Sequence, residues 1–384
     1  MTNSHEIGRS FLGLICVAVL CTILGLGLWP FHSPRNEVSW LENHNGLRFG
    51  RYGTVVSSGF FQMGLPQKEP GAALEIWIEP RSIWDTATFL AFYTQANRFQ
   101  FSLYQSQHDL LLRTGTPVGQ FGEGTSSLVV RGVFRRPGPV FVTISSATQG
   151  VSIFVDGVLA ATGTGFSLSA KDFTGGLVLG DSAGQNDSWS GQLLGLAVYQ
   201  RTLTPQEATR DYASWRQNGR PEINGHARDV AVYLFDERAG NVAHDKAGYA
   251  ADLYIPPKYQ VMAKIILQPF WTEFKLSRGY WSAALKNVVG FIPLGFFFDA
   301  YFARKTLRTR AMLVTLAVGA AISLTIEVFQ AFLPTRESGT TDLLTNTLGT
   351  WIGTALYGLW ERQMGRWAPG VGLDFGRPRV SRKL

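Results

Sequence analysis

The chain is short of cysteine and of charge. Two of its 384 residues are cysteine, Cys16 and Cys21, and both fall in one apolar run near the start. The long stretch between the apolar runs is cysteine-free, which excludes a disulfide framework and a cysteine-based zinc site there. Charged residues make up 16% of the chain and hydrophobic ones 45%. That balance fits a water-soluble portion joined to membrane segments better than a single water-soluble globule. Reactive signatures are also lacking: no P-loop, no G-x-G-x-x-G fingerprint and no H-E-x-x-H pair occurs, and no nucleophile elbow is read. His5, His32, His44, His108, His226 and His244 are scattered. Nothing here argues for a soluble enzyme. The formal net charge of +7 raises nucleic acid as a partner. The basic residues gather beside apolar runs, however, so no nucleic-acid partner is expected.

What is present is a set of four apolar runs. Phe11 to Trp29 is uncharged and long enough to cross a bilayer once. A cleaved signal peptide is the other reading, but the run is long for one and lacks a clear small-x-small cleavage site. Further runs cover Tyr280 to Phe302, Ala311 to Leu333 and about Leu343 to Trp360. Arg304, Lys305, Arg308 and Arg310 lie between the second and third runs, and Arg362, Arg366, Arg377, Arg379, Arg382 and Lys383 follow the fourth. The positive-inside rule turns both basic segments to the cytoplasm. Both termini are then cytoplasmic and residues 31–279 lie outside. Lys258 to Leu276 mixes Lys with Ile, Leu, Phe and Trp. It is either an amphipathic segment on the outer membrane surface or the last helix of the soluble portion.

Between Glu37 and Pro257 the pattern changes to short apolar strands separated by Gly, Pro, Asn and Asp. ALEIWIEP alternates, PVFVTISS continues the series, and VSIFVDGVLAATG sets Asp156-Gly157 between two apolar stretches, a strong hairpin signal. LTPQEATRDYASW predicts one short helix, with Thr204 as N-cap, Pro205 at the first helical position and Glu207 closing a capping box. Many strands and a single helix predict an antiparallel sandwich of jelly-roll type. GVSIFVDGVLAA, LVLGDSAG and WSGQLLGLAVYQRTLTPQEA are similar to the LamG-like branch of the concanavalin A-like lectin/glucanase group, over roughly residues 45–220. The resemblance implies a carbohydrate- or protein-binding module, in some members with calcium. AVYLFDERAGNVAHDKAGYAADLYIP looks like a further strand-and-turn element pairing back onto the sandwich. Glycosidase relatives carry E-x-D-x-E on one strand. Glu75, Trp77 and Glu79 hold that spacing with Trp at its centre. The two carboxylates would stand ~13 Å apart, wider than either glycosidase arrangement. Asp181, Asn186 and Asp187 admit a calcium site of hard oxygen ligands or an Asx-rich turn.

The apolar runs also carry polar residues, which by default face a bundle interior and pair. At 1.5 Å per residue, Lys286 and Asn287 fall about 9–10 Å below the outer end of the second run. Glu327 lies at nearly the same depth in the third, Gln330 is one turn above it, and Asp342 and Asn346 open the fourth. Arg336 sits in the connecting loop. One reading is interhelical glue, with Lys286–Glu327 or Arg336–Asp342 as pairs and Gly290, Gly295, Gly349 and Gly353 allowing close approach. The other is a small polar pocket for a headgroup or a short glycan. LKNVVGFIPLGFF and IEVFQAFLPTRESGTTDLLTNTLGTWIG resemble the VanZ-like family of bacterial integral membrane proteins. Asn287, Pro293-x-Gly295, Glu327-x-x-Gln330, Arg336, Asp342-x-x-x-Asn346 and Gly349 fall in register over about residues 280–360. The resemblance implies that the first run joins the same four-helix unit and that the sandwich is an insertion after it. The family takes its name from a protein associated with low-level teicoplanin resistance, a role not carried over to this chain.

The expected protein is thus multi-domain. Residues 1–30 form a cytoplasmic N-terminus and first transmembrane helix, 31–258 a LamG-like sandwich, and 259–279 an interfacial segment. Residues 280–360 form the remaining helices of a four-helix transmembrane bundle, and 361–384 a basic cytoplasmic tail. The expected function is recognition at a bacterial plasma membrane: the sandwich binds an envelope glycan or protein, and the VanZ-like bundle, among membrane lipids, offers a site for a lipid or glycan headgroup. The rival is an envelope enzyme or transporter acting on a lipid-linked or anionic substrate at Glu327, with a link to antibiotic resistance left open. Calcium is the one cofactor considered.

Overall fold

A computed structural model describes residues 2–62, 71–115, 126–222, 230–274, 278–304 and 306–367. Lys305, Leu276 and the tail carrying Arg377, Arg379, Arg382 and Lys383 lie outside the described residues. The chain divides into two compact units, Ser33–Lys264 and a helical unit of Met1–His32 with Ile265–Leu384.

The first unit is built from short strands. They begin with β1 (Val38–Trp40), β2 (Leu47–Phe49), β3 (Val55–Ser57), β4 (Ala72–Pro80), β5 (Thr86–Tyr93), β6 (Phe101–Ser106), β7 (Asp109–Thr114) and β8 (Ser126–Val130). There follow β9 (Val140–Ala147), β10 (Gly150–Val155), β11 (Val158–Gly163), β12 (Gly176–Leu179), β13 (Gly191–Tyr199), β14 (Val230–Tyr233), β15 (Val242–Ala243) and β16 (Leu253–Tyr254). One sheet has the order β1-β2-β13-β4-β9-β10-β11, with β14 also on β13, and the other β15-β16-β3-β12-β5-β6-β7-β8. Their ladder pairs are antiparallel. Alternate residues such as Leu47, Ile76, Ile78 and Leu193 of one sheet bury against Leu90, Leu103 and Leu179 of the other, while their chain neighbours face outward. This is the antiparallel sandwich that the sequence predicts.

Local chemistry fixes its turns. Asp156 and Gly157 take φ of +50° and +75°, the left-handed pair that a two-residue hairpin between β10 and β11 requires. The expected helix is α2 (Pro205–Asn218): Thr204 Oγ1 accepts the Glu207 N–H, and Glu207 reaches back to the Thr204 N–H at 2.8 Å. Residues 231–256 return to the sandwich as expected, β14 beside β13 and β16 beside β3. Asp245 holds this return in place, accepting backbone N–H groups from Val232, Ala247, Tyr249 and Ala250.

The helical unit contains α1 (Thr2–Leu28), the single turn α3 (Phe270–Glu273), α4 (Arg278–Phe302), α5 (Arg308–Ala331) and α6 (Thr340–Trp367). Among the described residues, three helices, α1 over Ser10–Leu28, α4 and α5, are long and apolar enough to cross a membrane. With 28 residues, α6 spans about 42 Å. It falls outside that apolar group, and its first turns carry Thr340, Thr341, Asp342, Thr345 and Asn346. Ile23 of α1 packs with Phe291 and Leu294 of α4 and Ile326 of α5, so the first helix shares the bundle. A Cβ on Gly295, Gly349 or Gly353 would meet the backbone of Thr350, Val288 or Ile292, so α4 and α6 approach backbone to backbone. Gly290 faces open space. The stretch read as one amphipathic segment divides between the units: Tyr259 is buried in the first, and among its described residues in the second only Phe270–Glu273 is helical.

Candidate functional site

Strand register lays one polar row across four neighbouring strands. Ser39 of β1 stands opposite Arg48 of β2, Arg48 opposite Gln192 of β13, and Gln192 opposite Glu79 of β4. Their neighbours Leu47, Leu193 and Ile78 point into the core, so the row faces outward. At about 4.8 Å per strand, Arg48 and Glu79 are about 10 Å apart and the row is about 15 Å long. Glu37, Gly50, Pro80, Arg81 and Gly191 complete a groove of about 570 Å³. Among the described residues, the side chains of Glu37, Arg48, Glu79 and Arg81 enter no ion pair. Oε1 of Gln192 is buried without a hydrogen-bond partner. Glu79 stands out in the sequence by its spacing from Glu75, whereas nothing local marks Ser39, Arg48 and Gln192.

Further along β4 the same face is closed. Glu75 is fully buried in a layer where Ala73, Phe141, Ala197 and Tyr199 meet Trp215 of α2. It accepts from the Tyr199 hydroxyl at 2.8 Å and from Trp215 Nε1–H at 3.2 Å. Burial, reinforced by the nearby charge of Asp211, pushes its carboxyl up to about 8, and the donors around it only partly offset this. Burial likewise raises Asp211 to about 6. The Glu75–Trp77–Glu79 spacing therefore makes no shared cleft: Glu75 is sealed beneath α2 while Glu79 lines the groove.

Asp181, Asn186 and Asp187 do come together, around Tyr259. Oδ1 of Asp181 accepts the N–H groups of Ser182 and Asp187 at 2.7 and 2.8 Å, and Oδ2 accepts the Tyr259 hydroxyl. Asn186 Oδ1 also accepts from Tyr259, and Asp187 Oδ2 accepts from Thr88 Oγ1 at 2.6 Å. Burial pushes Asp181 up to about 7 against these bonds. The geometry is that of an Asx turn whose carboxylates face protein donors. Among the described residues, no group of three or more His, Cys, Asp or Glu is placed to hold a metal ion. Gly180–Gly184 (GDSAG) has the G-x-S-x-G spacing that the sequence reading passed over. It lies in this turn, no helix follows it, and Ser182 Oγ donates to the Gln185 carbonyl, so it is not a nucleophile elbow.

In the helical unit Glu327, Gln330 and Arg336 meet backbone groups at helix ends rather than the charges paired from sequence. Glu327 is buried and accepts the Gly339 N–H at 2.8 Å, just before α6 begins. Gln330 Nε2 donates to the Gly27 carbonyl at 2.7 Å and Arg336 Nε to the Trp29 carbonyl at 2.8 Å. These two side chains thereby satisfy acceptors freed at the end of α1. Asn287 hydrogen-bonds Asp342, and Asn346 Nδ2 donates to Ser323 Oγ at 2.9 Å. Lys286 is exposed, and neither Lys286–Glu327 nor Arg336–Asp342 forms among the described residues. An ion pair missed from sequence lies elsewhere in the unit: buried Asp299 meets Arg308, whose Nη2 donates to the Thr354 carbonyl at 2.8 Å. An Asp inside an apolar run was the available signal.

Two family models match the chain. Residues 198–361 match VanZ/LLP1, and residues 64–209 match the concanavalin A-like lectin/glucanases superfamily. The chain joins a VanZ-like region to a concanavalin A-like region. The VanZ/LLP1 match opens inside β13, takes in α2 and β14–β16, and does not reach α1. By this match the lectin-like region precedes the VanZ-like one rather than lying within it. No curated protein matches the chain. Among solved structures, similarity extends to the binding domain of botulinum neurotoxin DC in complex with rat synaptotagmin II, at 12% identity and a TM-score of 0.33. That alignment covers 47% of this chain and 45% of the other, so the chain spans under half of that protein's length. The binding domain of Paraclostridial Mosquitocidal Protein 1 is 10% identical with a TM-score of 0.35, covering 48% and 47% of the two chains. The CBM40 of a Ruminococcus gnavus IT-sialidase is 17% identical with a TM-score of 0.33, covering 43% and 95%. Scores of this size set no ligand for this chain.

Proposed function

We propose that the chain is a bacterial plasma-membrane recognition protein whose sandwich binds an envelope glycan or protein outside the cell. The helical unit anchors it among membrane lipids, with both termini in the cytoplasm and residues 31–279 outside. The observation that carries this reading is the open polar groove, which faces outward from the sandwich while the neighbouring patch around Glu75 on the same face is closed by α2. The roles seen for Gln330, Arg336 and Glu327 at helix ends favour anchoring over intramembrane chemistry. Asp181 bonds protein donors through both oxygens, which favours recognition without calcium.

The test is saturable binding of the detergent-solubilised full chain to an array of envelope glycans and envelope protein extracts, with and without calcium. Binding unaffected by chelator is the expected result. A folded chain that binds neither class, or a Glu327→Gln variant that loses an envelope phenotype at normal abundance, overturns the reading in favour of chemistry or transport at the bundle.

A further inference from the structure

We propose that the groove over β1, β2, β13 and β4 takes a neutral, hydroxyl-rich chain, an oligosaccharide laid across the strands, with Gln192 as a specificity-determining residue at its centre. This rests on the recognition reading above and names the ligand class and the site.

Glu37 and Glu79 only accept, while Arg48 and Arg81 only donate, and all four line one groove without ion-pair partners among the described residues. Their charges balance, two against two. An anion entering the groove would meet two carboxylates, and a cation would meet two guanidiniums. A hydroxyl both donates and accepts, so a run of hydroxyls satisfies each wall residue in turn without adding a charge. Each contact to a charged wall group is of the stronger, charge-assisted kind.

The register supports the same ligand. Arg48 and Glu79 sit one strand to either side of Gln192, their backbones about 10 Å apart, and among the described residues they form no ion pair with each other. A ligand that reaches from one to the other must pass over Gln192, whose amide offers donor and acceptor together. Its Oε1 is buried and unpartnered, an arrangement that costs free energy. The cost is relieved when the amide turns out to a ligand hydroxyl. The groove meets its ligand with polar groups rather than with an apolar anchor. The groove's one aromatic, Phe49, is 2% exposed and belongs to the core.

The experiment titrates the solubilised full chain with an N-acetylglucosamine tetrasaccharide and with the neutral glycans of the array, using sialyllactose as the anionic probe and a glucosamine tetramer as the cationic one. A neutral glycan should bind. Gln192→Leu, Arg48→Ala and Glu79→Ala should each weaken it about tenfold or more, since each leaves ligand groups unpaired. Unchanged thermal midpoints in these surface variants confirm that they fold. Affinity kept in all three variants overturns the groove and leaves recognition standing. Tighter binding of sialyllactose or the glucosamine tetramer overturns the neutral class. A folded chain that binds no glycan at all overturns the ligand class, and binding of envelope protein instead would leave the broader reading in place.

Discussion

Glu75 is a carboxyl that the fold holds largely protonated near neutrality. Its pKa rises to about 8 from an unfolded value of about 4.3, so the native state binds more protons than the unfolded chain between those limits. The resulting stabilisation is complete below about pH 4.3 and is lost as pH rises through about 8. The first unit should therefore lose a few kcal/mol across that window, each pKa unit being about 1.4 kcal/mol. Asp181 and Asp211, also raised, add to the same slope. Glu75→Gln should flatten the dependence of the thermal midpoint on pH, and an unchanged slope would refute the assignment. Asp245→Ala removes the acceptor for four backbone N–H groups and should cost about 3 kcal/mol or more in denaturant titrations. At this scale the sequence was readable wherever chemistry is local. Asp156-Gly157 are adjacent in the chain, and Thr204 and Glu207 of the capping box are three residues apart. Ser39, Arg48, Gln192 and Glu79 come from four strands, and only pairing register brings them side by side.

Element behaviour follows from how ends and faces are closed. Thr204→Ala removes the acceptor for the Glu207 N–H and should cost about 1 kcal/mol, read as a lower midpoint with binding unaltered. Gly349→Leu should be far more damaging, because a Cβ there already meets the Val288 backbone. The expected signature is loss of folded protein from the membrane fraction. Spacing places the polar residues of α4, α5 and α6 near one end of each helix, but it does not give their partners. Lys286 and Asn287 are adjacent, so they point about 100° apart on a helix with 3.6 residues per turn. One turns to Asp342 and the other is exposed. Which of them faces a neighbour depends on helix rotation, and Glu327 is claimed by a loop amide whose path no periodicity reveals.

For the whole molecule, the proposed orientation gives a direct test. With Cys16 and Cys21 changed to serine, a thiol at Val158, which is 69% exposed, should react with an impermeant maleimide on intact spheroplasts. A thiol at exposed Thr306, between α4 and α5, should react only after permeabilisation. The reverse pattern would invert the topology. The two-part architecture was legible because apolar runs and alternating strands differ so strongly in period. The point of division was harder to place, since residues 259–264 carry the aromatic and basic look of an interface yet belong to the sandwich unit. The two family matches overlap at residues 198–209, in and just beyond β13, an inner strand flanked by β2 and β14 on one side and β4 on the other. Recombination that exchanged the lectin-like segment as a cassette would cut through this shared strand and separate Gln192 from the strands that close the fold. Grafts between homologues should therefore succeed only when the crossover points move out to about Ser33 and Lys264.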